Sequence, residues 1–289
     1  MKLTNNYNLP ESYVQAVTRD TYDKIGDISI TGLIQPPRIR ILTKRHDAEI
    51  VQDVSELVWL LLGSSVHAIL ERTDPDNHLV EERMTALVNG WTVAGKPDLL
   101  DPEMTLSDWK VTSVWSFIFG EKPEWTQQLN FYRWLYSSCD FDVRKLQIVA
   151  ILRDWQKSRA KREPEYPQTA IYRTEIPMLG MDDVRVQIIQ RVLIHQSNEQ
   201  LPDDKLDLCT PEERWAKQTT YAVKKETNKT ALRVFDNKEQ AEALLAEKGK
   251  GFIIETRPGA SVRCEDYCLA APFCNQWKDI QTSNRKETT

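Results

Sequence analysis

The residues whose types and spacing can do chemistry are Asp98, in the stretch GKPDLL, and Asp108 and Lys110, in TLSDWKV. Residues i and i+2 of a strand share a face, so Asp108 and Lys110 project together and a neighbouring strand can set Asp98 beside them. Two carboxylates held close repel unless positive charge lies between them. A divalent ion supplies that charge, and hard oxygen ligands suit Mg²⁺ or Mn²⁺. Such an ion polarises a phosphate and lowers the pKa of water, while Lys110 brings positive charge to the attacking water or to the developing negative charge. The chemistry expected is hydrolysis of a phosphodiester. A lone Asp-x-Lys on a strand is ordinarily solvated surface. Here the flanks are apolar and call for a core, and charges in nearly buried strands need partners.

Two further pairs lie around this group. His67 and Glu71 are four apart in a helical stretch and share a face, as do Gln128 and Tyr132 later in the chain. By itself the first pair reads as a structural histidine and the second as a hydrogen-bonded pair near a helix end. Their order around Asp98, Asp108 and Lys110 raises both.

The elements that must position these residues follow from periodicity. Ala48 to Glu71 is expected to be helical, with Ile50, Val54, Leu57, Val58, Leu61 and Leu62 on one buried face, interrupted at Gly63-Ser64. Strands are expected over 78–88, 91–100 and 105–111, the first two joined by the hairpin turn Asn89-Gly90. A helix over 124–138, strands over 145–152 and 168–176, and a helix over 181–199 follow. Then come two strands within 219–235, a helix over 238–247 and a strand over 251–255. This order predicts an α/β fold, a mixed central β-sheet flanked by helices with a C-terminal cysteine-containing segment. The expected division is an irregular N-terminal segment (1–46), a core (47–200), a C-terminal segment (201–278) and a loose polar tail (279–289).

Composition sets outer bounds. The chain has 289 residues, 40% apolar and 28% charged, with a formal net charge of −5. That total argues against a surface coated in positive charge, but a local basic groove is compatible with it. No unbroken apolar run reaches the ~20 residues of a membrane span, and the first residues lack a signal core, so a cytoplasmic protein without membrane association is expected.

The motifs together resemble the PD-(D/E)XK nuclease superfamily, and within it the RecB-type exonucleases, including the AddB, phage and CRISPR-adaptation iron–sulfur exonucleases. The matching residues are His67-Ala-Ile-Leu-Glu71, Gly95-Lys-Pro-Asp98, Asp108-Trp-Lys110 and Gln128-Leu-Asn-Phe-Tyr132. The resemblance implies a restriction-endonuclease-like core and a Mg²⁺- or Mn²⁺-dependent deoxyribonuclease, hydrolysing DNA as an exonuclease in recombination, repair or phage DNA processing. It implies that His67, Asp98, Asp108 and the main-chain carbonyl of Trp109 hold the metal and that Lys110 positions or activates water. Gln128 and Tyr132 then steady the substrate phosphate or the lysine, and Glu71 orients the helix or holds His67. Glu81 or Glu82 is a further acid, either supporting the site or exposed. A recombinase, helicase or single-strand-binding protein is the kind of partner implied.

Of five cysteines, Cys264, Cys268 and Cys274 form a compact group, and Cys209 is the best fourth. Cys139 reads as a small packed apolar group. Four thiolates suit a [4Fe–4S] cluster, with Zn²⁺ the alternative. The iron–sulfur members of the resembled group carry one cysteine before the core and three after it, with two residues inside the first pair of the trio. Here the first cysteine is Cys139, and three residues separate Cys264 from Cys268. The cluster is expected to clip the C-terminal segment onto the core.

Phosphate-contact candidates are Arg153, Lys157, Arg159, Lys161 and Arg162 in the loop after 145–152, and Lys224, Lys225, Lys229 and Arg233 in the later hairpin. Trp115, Phe117 and Phe119 could stack on unpaired bases, with core packing the alternative. Two other classes stay open: a non-catalytic nucleic-acid-binding recombination partner that kept the fold, and a zinc-stapled structural protein.

Overall fold

A computed structural model describes the whole chain except residues 19–24, 74, 75, 77, 119, 121, 288 and 289, and places 284–287 by backbone alone. The fold is α/β, with mixed sheets flanked by helices. The chain forms two compact units, Met1–Gln35 with Val51–Glu199, and Pro36–Ile50 with Gln200–Thr289.

The first unit is built on a five-stranded sheet. Its order is Ile171–Ile176, Lys145–Leu152, Thr105–Thr112, Leu99–Leu100 and Leu79–Val80. Thr105–Thr112 and Lys145–Leu152 run parallel, with Asp108 beside Ile148 and Lys110 beside Ala150, and the other neighbours are antiparallel. A parallel pair needs a crossover, and the helix Pro123–Ser137 supplies it. That helix buries Leu129, Phe131 and Leu135 against Leu106, Leu146 and Ile148 in a single apolar core.

The expected strands 78–88 and 91–100 are each broken. Leu79–Val80 and Met84–Val88 are separated at Glu81, and Trp91–Gly95 and Leu99–Leu100 at Lys96-Pro97-Asp98. Met84–Val88 and Trp91–Gly95 form a second, three-stranded sheet with Ile28–Ser29. Asn89 and Gly90 both have positive φ (45° and 80°), as the hairpin turn requires. Pro97 cannot donate to a ladder, which favours the interruption just before Asp98.

The segment before Val58 differs from expectation. Val51–Asp53 is a strand beside Lys2–Thr4, and Val54–Leu57 is a short 3₁₀ turn capped by Asp53. The α-helix proper is Val58–Glu71, and it runs straight through Gly63. Ile50 and Val54 are buried, whereas Val58 and Leu62 are exposed, along with Trp59, Leu60 and Ile69. No residue of the helix is fully buried, and the half-buried positions 63, 66, 67 and 70 share the face that carries His67. Val54–Glu71 is also long and apolar enough, by length and composition alone, to cross a membrane.

Residues 1–46 are not irregular. They hold a strand, three helices and half of a two-residue pairing. The helix Pro37–Arg45 starts with Pro at its first position, where a missing N–H costs nothing, and it belongs to the second unit rather than to a lead-in. That unit packs Ile41 and Leu42 with Leu206, Ala270, Cys274 and Trp277. It also holds a three-stranded sheet, Arg233–Phe235, Thr220–Lys225 and Phe252–Arg257, crossed by the helix Lys238–Lys248. The tail is a helix, Asn275–Glu287, anchored by buried Trp277 and partly buried Ile280.

Candidate active site

Leu99 pairs with Ser107 and Leu100 with Leu106. One residue further along the same register, Asp98 stands opposite Asp108, and residues directly opposite in an antiparallel pair share a face. Both carboxylates are buried, at 9% and 3% exposure. Asp98 Oδ2 accepts the backbone N–H of Trp109 at 2.6 Å. Its Oδ1 lies 3.1 Å from His67 Nδ1, which also lies 3.5 Å from Glu81 Oε1. The helix Val58–Glu71 therefore delivers His67 to the sheet edge. The Trp109 carbonyl is on the same strand, although the contact recorded for that residue is through its N–H.

Asp108 and Lys110 do project together. Lys110 Nζ lies 2.6 Å from Asp108 Oδ2 and donates to Gln128 Oε1 at 3.1 Å. Gln128 Nε2 in turn donates to Asp108 Oδ1 at 3.1 Å, so one amide ties acid and lysine into a ring of contacts. The lysine approaches Oδ2 at ion-pair distance but not along a hydrogen-bonding direction, and this buried oxygen accepts no hydrogen bond among the described residues. Tyr132 is buried, its hydroxyl a long 3.5 Å from Gln128 Nε2, so it backs the glutamine. A Cβ on Gly95 would meet Tyr132 Cε1 at 2.8 Å and Leu135 Cδ2 at 2.7 Å, so only glycine lets this helix close on the strand.

Glu81 is the acid that sequence reasoning left undecided. It is a non-glycine residue at φ 52°, a conformation that costs of order 1–2 kcal/mol. Its N–H donates to the Asp98 carbonyl at 3.1 Å, and the turn aims its carboxylate at His67 and at Lys96, with which it pairs. Glu82 is exposed; its carbonyl accepts from Tyr136 at 3.0 Å, which pins the turn. Glu71 is exposed on the rim of the cavity that His67, Glu81, Asp98 and Trp109 line, and the partners of His67 Nδ1 are Asp98 and Glu81 instead. The expectation that Glu71 holds His67 is thus corrected: Glu81 does so, because a left-handed turn rather than helical spacing brings the second acid in.

Electrostatics follow from this crowding. Burial, opposed by Lys110 but reinforced by the charge of Asp98, pushes Asp108 up to about 6. Asp98, then Glu81, raise His67 to about 10. Burial works against the charge of Glu81, but His67 and Lys96 outweigh it and hold its carboxyl below the usual range. His67, Glu81 and Asp98 each offer a ligand atom, all within 4.8 Å of one another. Three acids and a histidine drawn together at this sheet edge fit a divalent cation.

Four of the five cysteines lie in the second unit, and Cys139 lies in the first. Cys209, Cys264, Cys268 and Cys274 line one cavity with Arg38, Arg214 and Arg263, and none is in a disulfide. The cavity wall includes the helix Pro37–Arg45, so the partners of the cysteines come from 36–50 as well as from 201–278. Within the second unit these cysteines join 36–50 to 201–278. Arg38, 1% exposed, donates to the carbonyls of Leu206 and Asp207, to Asn275 Oδ1 and, at 3.8 Å, to Cys274 Sγ. Gln276 and Cys209 exchange two hydrogen bonds of 2.9 and 2.8 Å. Burial pushes the Cys209 thiol up to about 12 and the Cys264 thiol up to about 11. Among the described residues no three of these sulfurs lie within 4.8 Å of one another, whereas four sulfurs about 2.3 Å from one zinc stand ~3.8 Å apart.

The phosphate-contact candidates divide. Lys157 and Lys161 are exposed, and Arg153 lies 4.0 Å over the ring of Trp59. Arg159 is bound to Glu163 and stacked on Tyr166 at 4.5 Å, so much of its charge is spent locally. Lys224 pairs with Glu255, and Lys225 lies 5.9 Å over Phe252. Trp115 is exposed, Phe117 packs on Trp125 and Tyr172 in the core, and Phe119 lies outside the described residues.

No protein-family model matches the chain, and no curated protein matches it. Among solved structures it is similar to one titled "Crystal structure of SSO0001", with a TM-score of 0.44 and 18% identity over 63% of this chain and 84% of that one.

Proposed function

We propose that this chain is a divalent-metal-dependent deoxyribonuclease of the PD-(D/E)XK type. The observation that carries the proposal is the buried carboxylate pair, Asp98 opposite Asp108, with His67 3.1 Å from one and Lys110 2.6 Å from the other. A structural role does not call for this charge concentration, since burying carboxylates is costly even when each has a partner. His67, Asp98, Asp108 and the Trp109 carbonyl are the candidate ligands for Mg²⁺ or Mn²⁺. Such an ion, when bound, supplies Lewis acidity to the scissile phosphate and the attacking water.

The chain's own residues do the rest. Lys110, held by Gln128, keeps a positive charge where negative charge develops on the phosphate. Asp108, oriented by Lys110 and Gln128, keeps its carboxylate beside that of Asp98, and Lys110 stands where it can position the attacking water. Tyr132 and Gly95 fix Gln128 by packing. Arg153, Lys157, Lys161 and Arg162 are basic side chains of this unit proposed to take backbone phosphates. The four cysteines around Arg38 are proposed to hold a [4Fe–4S] cluster that closes the second unit, with Zn²⁺ the alternative. DNA processing in the cytoplasm, with a recombinase or helicase as partner, completes the reading.

Labelled linear DNA incubated with Mg²⁺ or Mn²⁺ tests it. Cleavage by the wild-type chain and its loss in Asp108→Asn is the result expected. Cleavage that persists in Asp98→Asn and Asp108→Asn overturns the site. Comparing circular with linear DNA, single- and double-stranded, reads out whether ends are required.

A further inference from the structure

A second hollow lies on the face of the sheet that carries Lys110. Tyr172 pairs with Ala150, and Ala150 with Lys110, so the three residues stand in one row and share a face. At ~4.8 Å between neighbouring strands, the backbone of Tyr172 is about 10 Å from that of Lys110. Phe117, Ile118 and Tyr172 line a cavity of about 360 Å³ together with the loop 164–169. That volume falls in the range of about 300–1,000 Å³ found for small-ligand pockets. The loop wall is held from behind. Pro164 and Pro167 fix two of its φ angles. Trp155 Nε1 donates to the Pro167 carbonyl at 2.7 Å, and Gln168 Nε2 to the Tyr166 carbonyl at 2.7 Å. Tyr166 is buried, and its hydroxyl accepts the N–H of Gln156 at 3.0 Å. The ring of Tyr172 packs on Phe117, with centroids 4.6 Å apart, yet the residue stays 37% exposed.

We propose that this pocket takes one unpaired base of the DNA strand, stacked on the ring of Tyr172, with the neighbouring phosphates on the basic stretch 157–162. The inference rests on the nuclease reading above and deepens it, by naming a strand with an unpaired base as the substrate. Three observations support it. First, the walls are aromatic and preformed, and every base has a π-face that such a wall takes whatever the sequence. Second, Lys157, Lys161 and Arg162 are exposed on the segment that leads straight into the loop wall, where they meet the backbone of a strand whose base is inside. Third, Glu165 lines the same pocket. Its charge opposes a phosphate there and leaves an uncharged base unopposed.

A base enters such a pocket only after leaving its stack and its pair, so intact duplex does not fill it. The pocket therefore sorts substrates by strandedness, a property that the carboxylates and the lysine do not set. Tyr172 grips the strand about 10 Å from Lys110 across two strand spacings, and it takes no part in the bond-breaking step.

Fluorescence anisotropy of end-labelled DNA, with Ca²⁺ replacing Mg²⁺ so that the strand stays whole, tests the proposal on the full chain. Tyr172→Ala should weaken binding of a single-stranded oligonucleotide by about 5–150-fold, the loss of one stacked base. Tyr172→Phe should bind like the wild type, and blunt duplex should bind all three chains equally. Unchanged single-strand binding in Tyr172→Ala, or an equal loss for duplex, overturns the pocket. A second measurement changes the DNA instead: an oligonucleotide of abasic sugars should bind the wild type and Tyr172→Ala alike. A difference between them there shows that the ring acts through the fold and overturns base stacking. Metal-dependent cleavage with any of these contrary results leaves the nuclease standing without the pocket. A wild type that neither binds nor cleaves either form of DNA removes both readings.

Discussion

Asp98 receives the backbone N–H of Trp109 at 2.6 Å, and this contact crosses from one interrupted strand to the next. Strand pairing alone joins Leu99–Leu100 to Thr105–Thr112 at two positions, which is a short ladder. The carboxylate extends that pairing by one residue. It also turns its second oxygen to His67, so the same side chain closes the sheet edge and builds the site. A change at Asp98 is therefore expected to act on both.

Lys110→Ala should lower the cleavage rate by about 10²–10³-fold, the loss typical of one charge-stabilising donor, while metal binding persists. Single-turnover cleavage at saturating metal measures the first, and Mn²⁺ titration the second. Parallel loss of metal affinity would show instead that the lysine holds Asp108 in place.

Gln128 bridges Lys110 and Asp108 at 3.1 Å on each side. Gln128→Ala should cost about 10–100-fold in activity, the range found when groups behind metal ligands are removed. Thermal stability should change little, because the side chain is only half-buried. An unaffected rate would mean that the lysine and the acid position each other without it.

Gly95→Ala forces a methyl group against Tyr132 and Leu135 at less than 3 Å. The helix Pro123–Ser137 must shift, at a cost of about 1–3 kcal/mol by the usual overpacking range. A lower denaturation midpoint with reduced cleavage is expected. Combining the change with Tyr132→Phe should give no relief, since the clash is with ring carbons and not the hydroxyl.

Arg38 satisfies two backbone carbonyls and a side-chain amide from inside the second unit. Arg38→Met removes a buried charge but leaves those acceptors bare, at about 3–5 kcal/mol. Amide hydrogen exchange should speed up across 200–280 and stay slow in 105–152. Uniformly faster exchange would contradict the division into two units.

His46 is raised above 6.5 by Asp203 first and Glu49 second, each 2.7 Å from a ring nitrogen. A group whose folded value is raised stabilises fully below its unfolded value and loses that contribution as pH rises through the folded one. Stability of the second unit should thus fall as pH climbs above 6.5, and His46→Gln should flatten the dependence. Denaturant midpoints measured between pH 5.5 and 8.5 check this.

Residue type and period were enough to place most regular elements and to pick out the chemistry. The strand Lys145–Leu152 and the helix Met181–Glu199 were legible to the residue, because uninterrupted periodicity marks both ends. The pairing of Asp98 with Asp108 followed from two-residue alternation and one turn. Tertiary structure decided the rest. Nothing local distinguishes Glu81 from Glu82; a positive φ, tolerated because Tyr136 and the Asp98 carbonyl hold the turn, selects the first. Nor could Pro36-Pro37 be told from a loop until Arg38 found carbonyls 168 and 169 positions away. Periodicity reports which face of an element is apolar, but only long-range packing says whether anything covers it. The exposed Trp59, Leu60 and Ile69 on the helix that carries His67 show that difference.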